Sequence, residues 1–266
     1  MKQKISITIS NKLLKEIDSV IDNVYIRNRS QAIEHLIGSA LGENRIAVIL
    51  SGGNEKILKI SEKEYRITAK IGNNTLIEEA IKKLRHNNFK TIFIIAGHNI
   101  LTDIFSLVSD GSEYGVKINY IEEKEPKGSA SSLKLLKGKI NSNFLVVYGD
   151  IFFKKINIEE LWNDHLRQSA VTTLMLTSSP TPTKKGIVNI EGSKVLKFTQ
   201  KPKTSDIYIG FSSIFVSGPE IFEYEGNSLE KDIFPLLAEK GLLNGHLSSE
   251  KEIHIHNKKD IKAIVL

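Results

Sequence analysis

The sequence predicts an α/β protein of two unequal parts, and three observations carry that prediction. From residue 45 onward, short apolar runs alternate with amphipathic helical stretches. That rhythm, with strands apolar almost throughout, argues a mostly parallel sheet with helices on both faces. The first 43 residues hold patterns for one strand and two helices, too little to bury a core unaided. The length, 266 residues, accommodates both parts at roughly 150 residues per domain. The domains read as 1–43 and 45–266. From Gly186 the strands shorten and separate, which makes the larger sheet mixed.

Residues 4–9, K-I-S-I-T-I, alternate with period two. Ile5, Ile7 and Ile9 lie on one face of a strand, and Lys4, Ser6 and Thr8 on the other. Ser10 and Asn11 are capping types ahead of a stripe of Leu13, Leu14, Ile17, Val20 and Ile21. Ser30 reads as the cap of a second helix carrying Ile33, Leu36, Ile37, Ala40 and Leu41, ended by Gly42. A lone strand has unpaired edges. Pairing with its twin supplies the missing ladder and the missing core, so the expected state is an obligate homodimer or higher even oligomer. After a spacer at 42–44, reaching about 10 Å, strands at 45–50, 91–96, 116–122, 144–148 and 170–177 interleave with helices. Those helices fall at 75–86, 100–108, 129–136 and 158–168.

Composition removes whole classes of function. The absence of cysteine excludes disulfides, thiolate zinc sites and cysteine nucleophiles. Apolar runs stay short of the roughly 18 residues of a membrane span, and MKQKISITIS lacks the apolar core of a signal peptide. A cytoplasmic protein with no membrane partner is expected. The net charge of +6 is not segregated into one domain, although the first 15 residues hold four lysines and no acid.

The strand, capped helix, loop and second capped helix over residues 3–42 resemble the ribbon-helix-helix family of DNA-binding repressors. The resemblance implies two strands paired antiparallel across a dimer, their ribbon lying in the major groove of double-stranded DNA. It places Lys4, Ser6 and Thr8 toward the bases, with Lys2 beside them. Ser30 and the amides opening the second helix would hold a phosphate, with charge from Arg27 and Arg29.

Beyond residue 45, ordered segments resemble the sugar-1-phosphate nucleotidyltransferases: I-A-V-I-L-S-G-G (46–53), I-G-N-N-T-L-I-E-E-A-I (71–81), E-P-K-G-S-A (125–130), V-V-Y-G-D (146–150), F-T-Q-K-P-K (198–203) and L-E-K-D-I-F-P-L-L-A-E-K-G-L-L (229–243). The resemblance implies a Rossmann-like domain and attack of a sugar phosphate on the α-phosphorus of a nucleoside triphosphate. It assigns Ser51, Gly52, Gly53 and Gly128 to the nucleotide, Lys201 to the sugar phosphate and Asp150 to a metal. Several positions depart from the family. The phosphate loop A-G-G-x-G-T-R-L reads S-G-G-N-E-K-I-L over 51–58, which puts the Glu55 carboxylate where triphosphate oxygens belong, with Lys56 as partial compensation. Arg66 stands for a lysine, Gln200 for a glutamate and Phe211 for an asparagine. His254 replaces the second metal aspartate. Magnesium prefers oxygen donors, so a softer metal such as zinc on Asp150, His254 and His256 is the variant these residues would favour.

The sequence is therefore read as a DNA-binding transcriptional regulator whose nucleotidyltransferase-like domain has lost catalysis and senses a nucleotide-sugar or sugar phosphate. The alternative is an active sugar-1-phosphate nucleotidyltransferase, using Asp150 and Lys201 with Mg2+ or another divalent metal. Its N-terminal module would then serve dimerisation or autoregulation.

Overall fold

The computed structural model describes residues 5–21, 26–41, 45–62 and 64–265. Lys2, Lys4, Gly42 and the 42–44 spacer lie outside them. The chain divides into two compact units, Met1–Asn44 and Arg45–Leu266.

In the first unit, α1 (Asn11–Ser19) begins at Ser10, whose Oγ accepts from the Leu13 amide at 3.3 Å. Helix α2 (Arg29–Leu41) corrects the expected cap. Asn28 holds that position, its Oδ1 accepting from the Gln31 amide at 3.0 Å, while Gln31 Oε1 accepts from the Arg27 amide at 2.7 Å. Ser30 lies inside the first turn, because Asn28 Oδ1 takes the Gln31 amide and Gln31 Oε1 takes the Arg27 amide, closing the helix start two residues earlier. Arg29, expected to lend charge to a phosphate, is engaged within this unit. Its guanidinium forks onto Asp18 at 2.7 and 2.9 Å, tying α2 to α1. Residues 5–10 form no ladder within one copy, since neither helix offers a strand edge. Ile5 and Ile7 are 70% and 50% exposed.

The second unit opens with β1 (Arg45–Leu50), α3 (Glu55–Leu58), the hairpin β2 (Lys59–Ser61) and β3 (Glu64–Tyr65), and the ladder β4 (Lys70–Ile71) with β5 (Asn74–Thr75). There follow α4 (Leu76–His86), β6 (Phe89–Ala96), α5 (His98–Val108), β7 (Lys117–Glu122), α6 (Ser129–Lys134) and β8 (Phe144–Tyr148). Thr75 and Glu78 form a capping box at the start of α4. Helix α5 starts two residues earlier than its apolar stripe suggests, because Gly97 serves as its cap.

Past this point come β9 (Ile151–Phe152), α7 (Ile158–Arg167), β10 (Thr172–Ser178), β11 (Gly186–Glu191), β12 (Lys194–Gln200), β13 (Ile209–Ser217), α8 (Phe234–Glu239), β14 (Leu243–Leu247), β15 (Ile253–His254) and α9 (Lys258–Val265). The main sheet runs β10-β14-β12-β11-β13-β8-β1-β6-β7. Strands β8, β1, β6 and β7 are mutually parallel, and β13 joins β8 antiparallel. The sheet is thus mixed. One core packs α4, α5 and α7 against one face, the other α6 and α8 against the opposite face.

Arg45 anchors the first strand from its buried end. Its guanidinium lies 5.1 Å from the Trp162 ring centroid and 5.7 Å from that of Phe89, and it forks onto Glu159, with the Nη2 contact at 2.8 Å. Glu159→Gln leaves a buried cation without its counter-charge. The expected loss is about 1–3 kcal/mol in urea unfolding. A loss of a few tenths would mean that the two rings hold the guanidinium unaided.

Candidate active site

Two cavities meet where β8 ends. The smaller, about 90 Å3, is lined by Ser51 and Gly52 after β1, by Leu58, Tyr65, Arg66 and Ile100, and by Tyr148 and Asp150. The larger, about 380 Å3, shares Tyr148 and Asp150 and adds Lys184, Lys185, Gln200, Lys201, Phe211, Glu230, His254 and His256. This is the carboxyl edge of the parallel block, where open α/β sheets bind ligands.

On the nucleotide side, the backbone after β1 is held by a carboxylate that the sequence reading overlooked. Glu123, at the end of β7 and 6% exposed, accepts from the Gly53 amide at 2.7 Å and from the Ser132 hydroxyl. A Cβ on Gly52 would sit 2.4 Å from that carboxylate. Gly128 has a structural reason of its own, since at φ +133° a Cβ there would meet the Asn227 carbonyl at 2.4 Å.

The repulsion expected from Glu55 is corrected. The loop folds into α3 behind the cap Asn54, and Glu55 turns toward the opening of α5. There its Oε2 accepts from Asn99 Nδ2 at 3.0 Å and lies 3.5 Å from the Tyr65 hydroxyl. A helix N-terminus favours that negative charge. Lys56 is exposed on α3, outside the lining of both cavities.

On the other side, a buried carboxylate organises the wall. Glu252 accepts from Lys185, from the Ser212 hydroxyl at 2.7 Å and from His254 Nε2 at 3.1 Å. Burial would raise its pKa, but the His254 hydrogen bond, the Lys185 charge and the Ser212 hydroxyl outweigh that and hold it at about 2. Glu252, His254 and His256 alternate in sequence, the period-two signal by which Glu252 could have been found. Glu230 accepts from the Tyr148 hydroxyl, from Ser129 at 2.8 Å and from Ser228 at 3.0 Å. Burial and the Glu230 charge push the Tyr148 phenol well above its ordinary value, keeping it a donor. Lys201 lines this cavity from a left-handed backbone, φ +45°.

The expected metal pair is not assembled. Asp150 Oδ2 accepts from Arg66 Nη1 at 3.1 Å, and the nearer histidine is His256, with Nδ1 at 4.0 Å. His254 turns to Glu252 instead, because the Glu252 carboxylate can only accept and the ring nitrogen donates to it. Among the described residues, no group of three or more His, Cys, Asp or Glu side chains is placed to hold a metal ion. These residues do not fit the oxygen-rich shell that magnesium takes.

Comparison with known proteins adds a family. The profile described as "Nucleotidyl transferase" matches residues 46–248. The low-salt glycan biosynthesis nucleotidyltransferase Agl11 of Haloferax volcanii is 26% identical over 179 residues, covering 66% of this chain and 50% of its own. The mannose-1-phosphate guanyltransferase of Saccharomyces cerevisiae is 25% identical over 205 residues, covering 73% and 56%. The chain therefore spans about half the length of these relatives. In fold, HddC from Yersinia pseudotuberculosis superposes with a TM-score of 0.69 at 19% identity, covering 83% of this chain and 98% of its own. A candidate glucose-1-phosphate thymidylyltransferase from Bacillus anthracis, solved with sucrose, reaches 0.74 at 22%, covering 83% and 94%.

The Glu252 network carries a pH signature. A carboxylate at about 2 in the fold and near 4.5 unfolded stabilises the fold above the unfolded value. That stability drains away as pH falls from about 5 toward 2, to the extent of about 3 kcal/mol. Thermal unfolding of the wild type should fall more steeply over this range than that of Glu252→Gln. Parallel curves would contradict the assignment.

Proposed function

The chain belongs to the nucleotidyl transferase family, and from that premise we propose that it joins a nucleoside triphosphate to a sugar 1-phosphate. A phosphate oxygen of the sugar attacks the α-phosphorus, a new P–O bond forms, the α–β bridging bond breaks, and pyrophosphate leaves. The observation that carries this reading is the pair of cavities sharing Tyr148 and Asp150, one backed by Ser51 and Gly52, the other lined by Lys184 and Lys201. Two phosphate-bearing molecules seated there would meet at that junction. Lys201 would neutralise the sugar phosphate, and the Gly52–Gly53 backbone would admit the nucleotide closely. The outward turn of Glu55 weakens the case for a catalytic relic. The names of the relatives, Agl11 among them, favour an enzyme over a regulator.

For the N-terminal unit we retain a separate proposal, favoured by the exposed Ile5 and Ile7 ahead of two capped helices. Two copies would pair their 5–9 segments and present Ser6 and Thr8 to a DNA major groove. Such an enzyme could regulate its own gene.

Pyrophosphate release from GTP, UTP or dTTP with mannose 1-phosphate or glucose 1-phosphate tests the first reading. Release should require both substrates and fall at least tenfold in Lys201→Ala. If no pair is turned over while a nucleotide-sugar still raises the unfolding temperature, the domain is a sensor. For the N-terminal unit, Lys4→Ala with Thr8→Ala should abolish binding to a duplex enriched from a random pool, the dimer surviving in sedimentation. An unchanged, salt-dependent gel-shift affinity would sink that proposal.

A further inference from the structure

We infer that Arg66 takes the place of a metal ion: the cleft binds the phosphoryl groups of a nucleotide through a fixed guanidinium and needs no divalent cation to do so. The inference rests on the nucleotide-binding reading above and goes beyond it.

Three observations converge. The carboxylate at the junction of the cavities is already matched, since Arg66 Nη1 reaches Asp150 Oδ2 at 3.1 Å with both side chains largely withdrawn from solvent, 15% and 22% exposed. A divalent ion placed on Asp150 would lie against that guanidinium. The other carboxylates of this wall are engaged as well, Glu230 by Tyr148, Ser129 and Ser228, and Glu252 by Lys185, Ser212 and His254.

The guanidinium is also built in rather than loosely attached. Arg66 opens the short 3-10 turn Arg66–Thr68, whose Ile67 and the following Ala69 are buried. The Tyr65 amide donates to Thr68 Oγ1 at 3.3 Å across the same turn. Arg66 Nε is buried with no hydrogen-bond partner among the described residues.

Chemistry favours the substitution. A guanidinium carries its charge at every working pH and offers a planar fork matched to phosphate oxygens. It lines the smaller cavity beside Ser51 and Gly52, where a nucleotide phosphate would arrive. His256 adds a second nitrogen near Asp150, at 4.0 Å.

The experiment is calorimetric titration of the full chain with GTP, UTP and dTTP in turn, in excess EDTA and then in excess magnesium. For whichever nucleotide binds, the two dissociation constants should agree within about threefold. Arg66→Gln should weaken binding at least tenfold in both conditions, with Arg66→Lys falling between. Binding that appears in magnesium and vanishes in EDTA overturns the inference and leaves the nucleotidyltransferase reading standing. No binding of any nucleotide in either condition overturns both. The wild-type comparison stands whether or not the Arg66 variants fold.

Discussion

Four parallel strands, three of them largely buried on both faces, stop at one level, and that common edge is the constraint on which the rest of the second unit depends. Strands β8, β1 and β6 are fixed to one another in register, so the turns that leave them emerge side by side. Ser51 follows β1 and Asp150 follows β8; the smaller cavity opens between those turns, and the larger one spreads from the β8 turn. The edge is rigid because its strands carry Val, Ile, Leu and Phe inward on both sides. A cleft built on such an edge inherits its precision from packing, without a disulfide to hold it.

Around that edge, nearly every buried charge is matched by a side chain. Glu123 grips the backbone after β1, Glu230 grips Tyr148, Glu252 grips Lys185 and His254, and Arg66 grips Asp150. Unmatched carboxylates in such a place would shift their protonation or distort the walls. Matched as they are, they set which cations face the ligand. Lys184, Lys185 and Lys201 all line the larger cavity, and of these Lys185 is committed to Glu252.

Much of this was legible in the sequence because it follows from local rules. The apolar runs at 45–50 and 144–148 coincide with β1 and β8, and the helix expected over 75–86 is α4, with Thr75 as its cap. Other features depend on pairing across long sequence separations. That Glu55 would face α5 required knowing that residues 54–58 coil into a helix beside Asn99, 44 residues away. That His254 would serve Glu252 and not Asp150 depended on how β15 pairs with β9. In the first unit, Asn28 caps the helix in place of Ser30, its Oδ1 accepting from the Gln31 amide while the Gln31 side chain accepts from the Arg27 amide.

Lys201 illustrates what such a cleft costs to maintain. A lysine held at φ +45° sits in backbone that glycine would adopt without strain, at a penalty on the order of 1 kcal/mol. Selection for thermal robustness alone would drift this position toward glycine and silently erase the ammonium. Libraries screened for stability before function would therefore discard one of the three lysines that line the larger cavity.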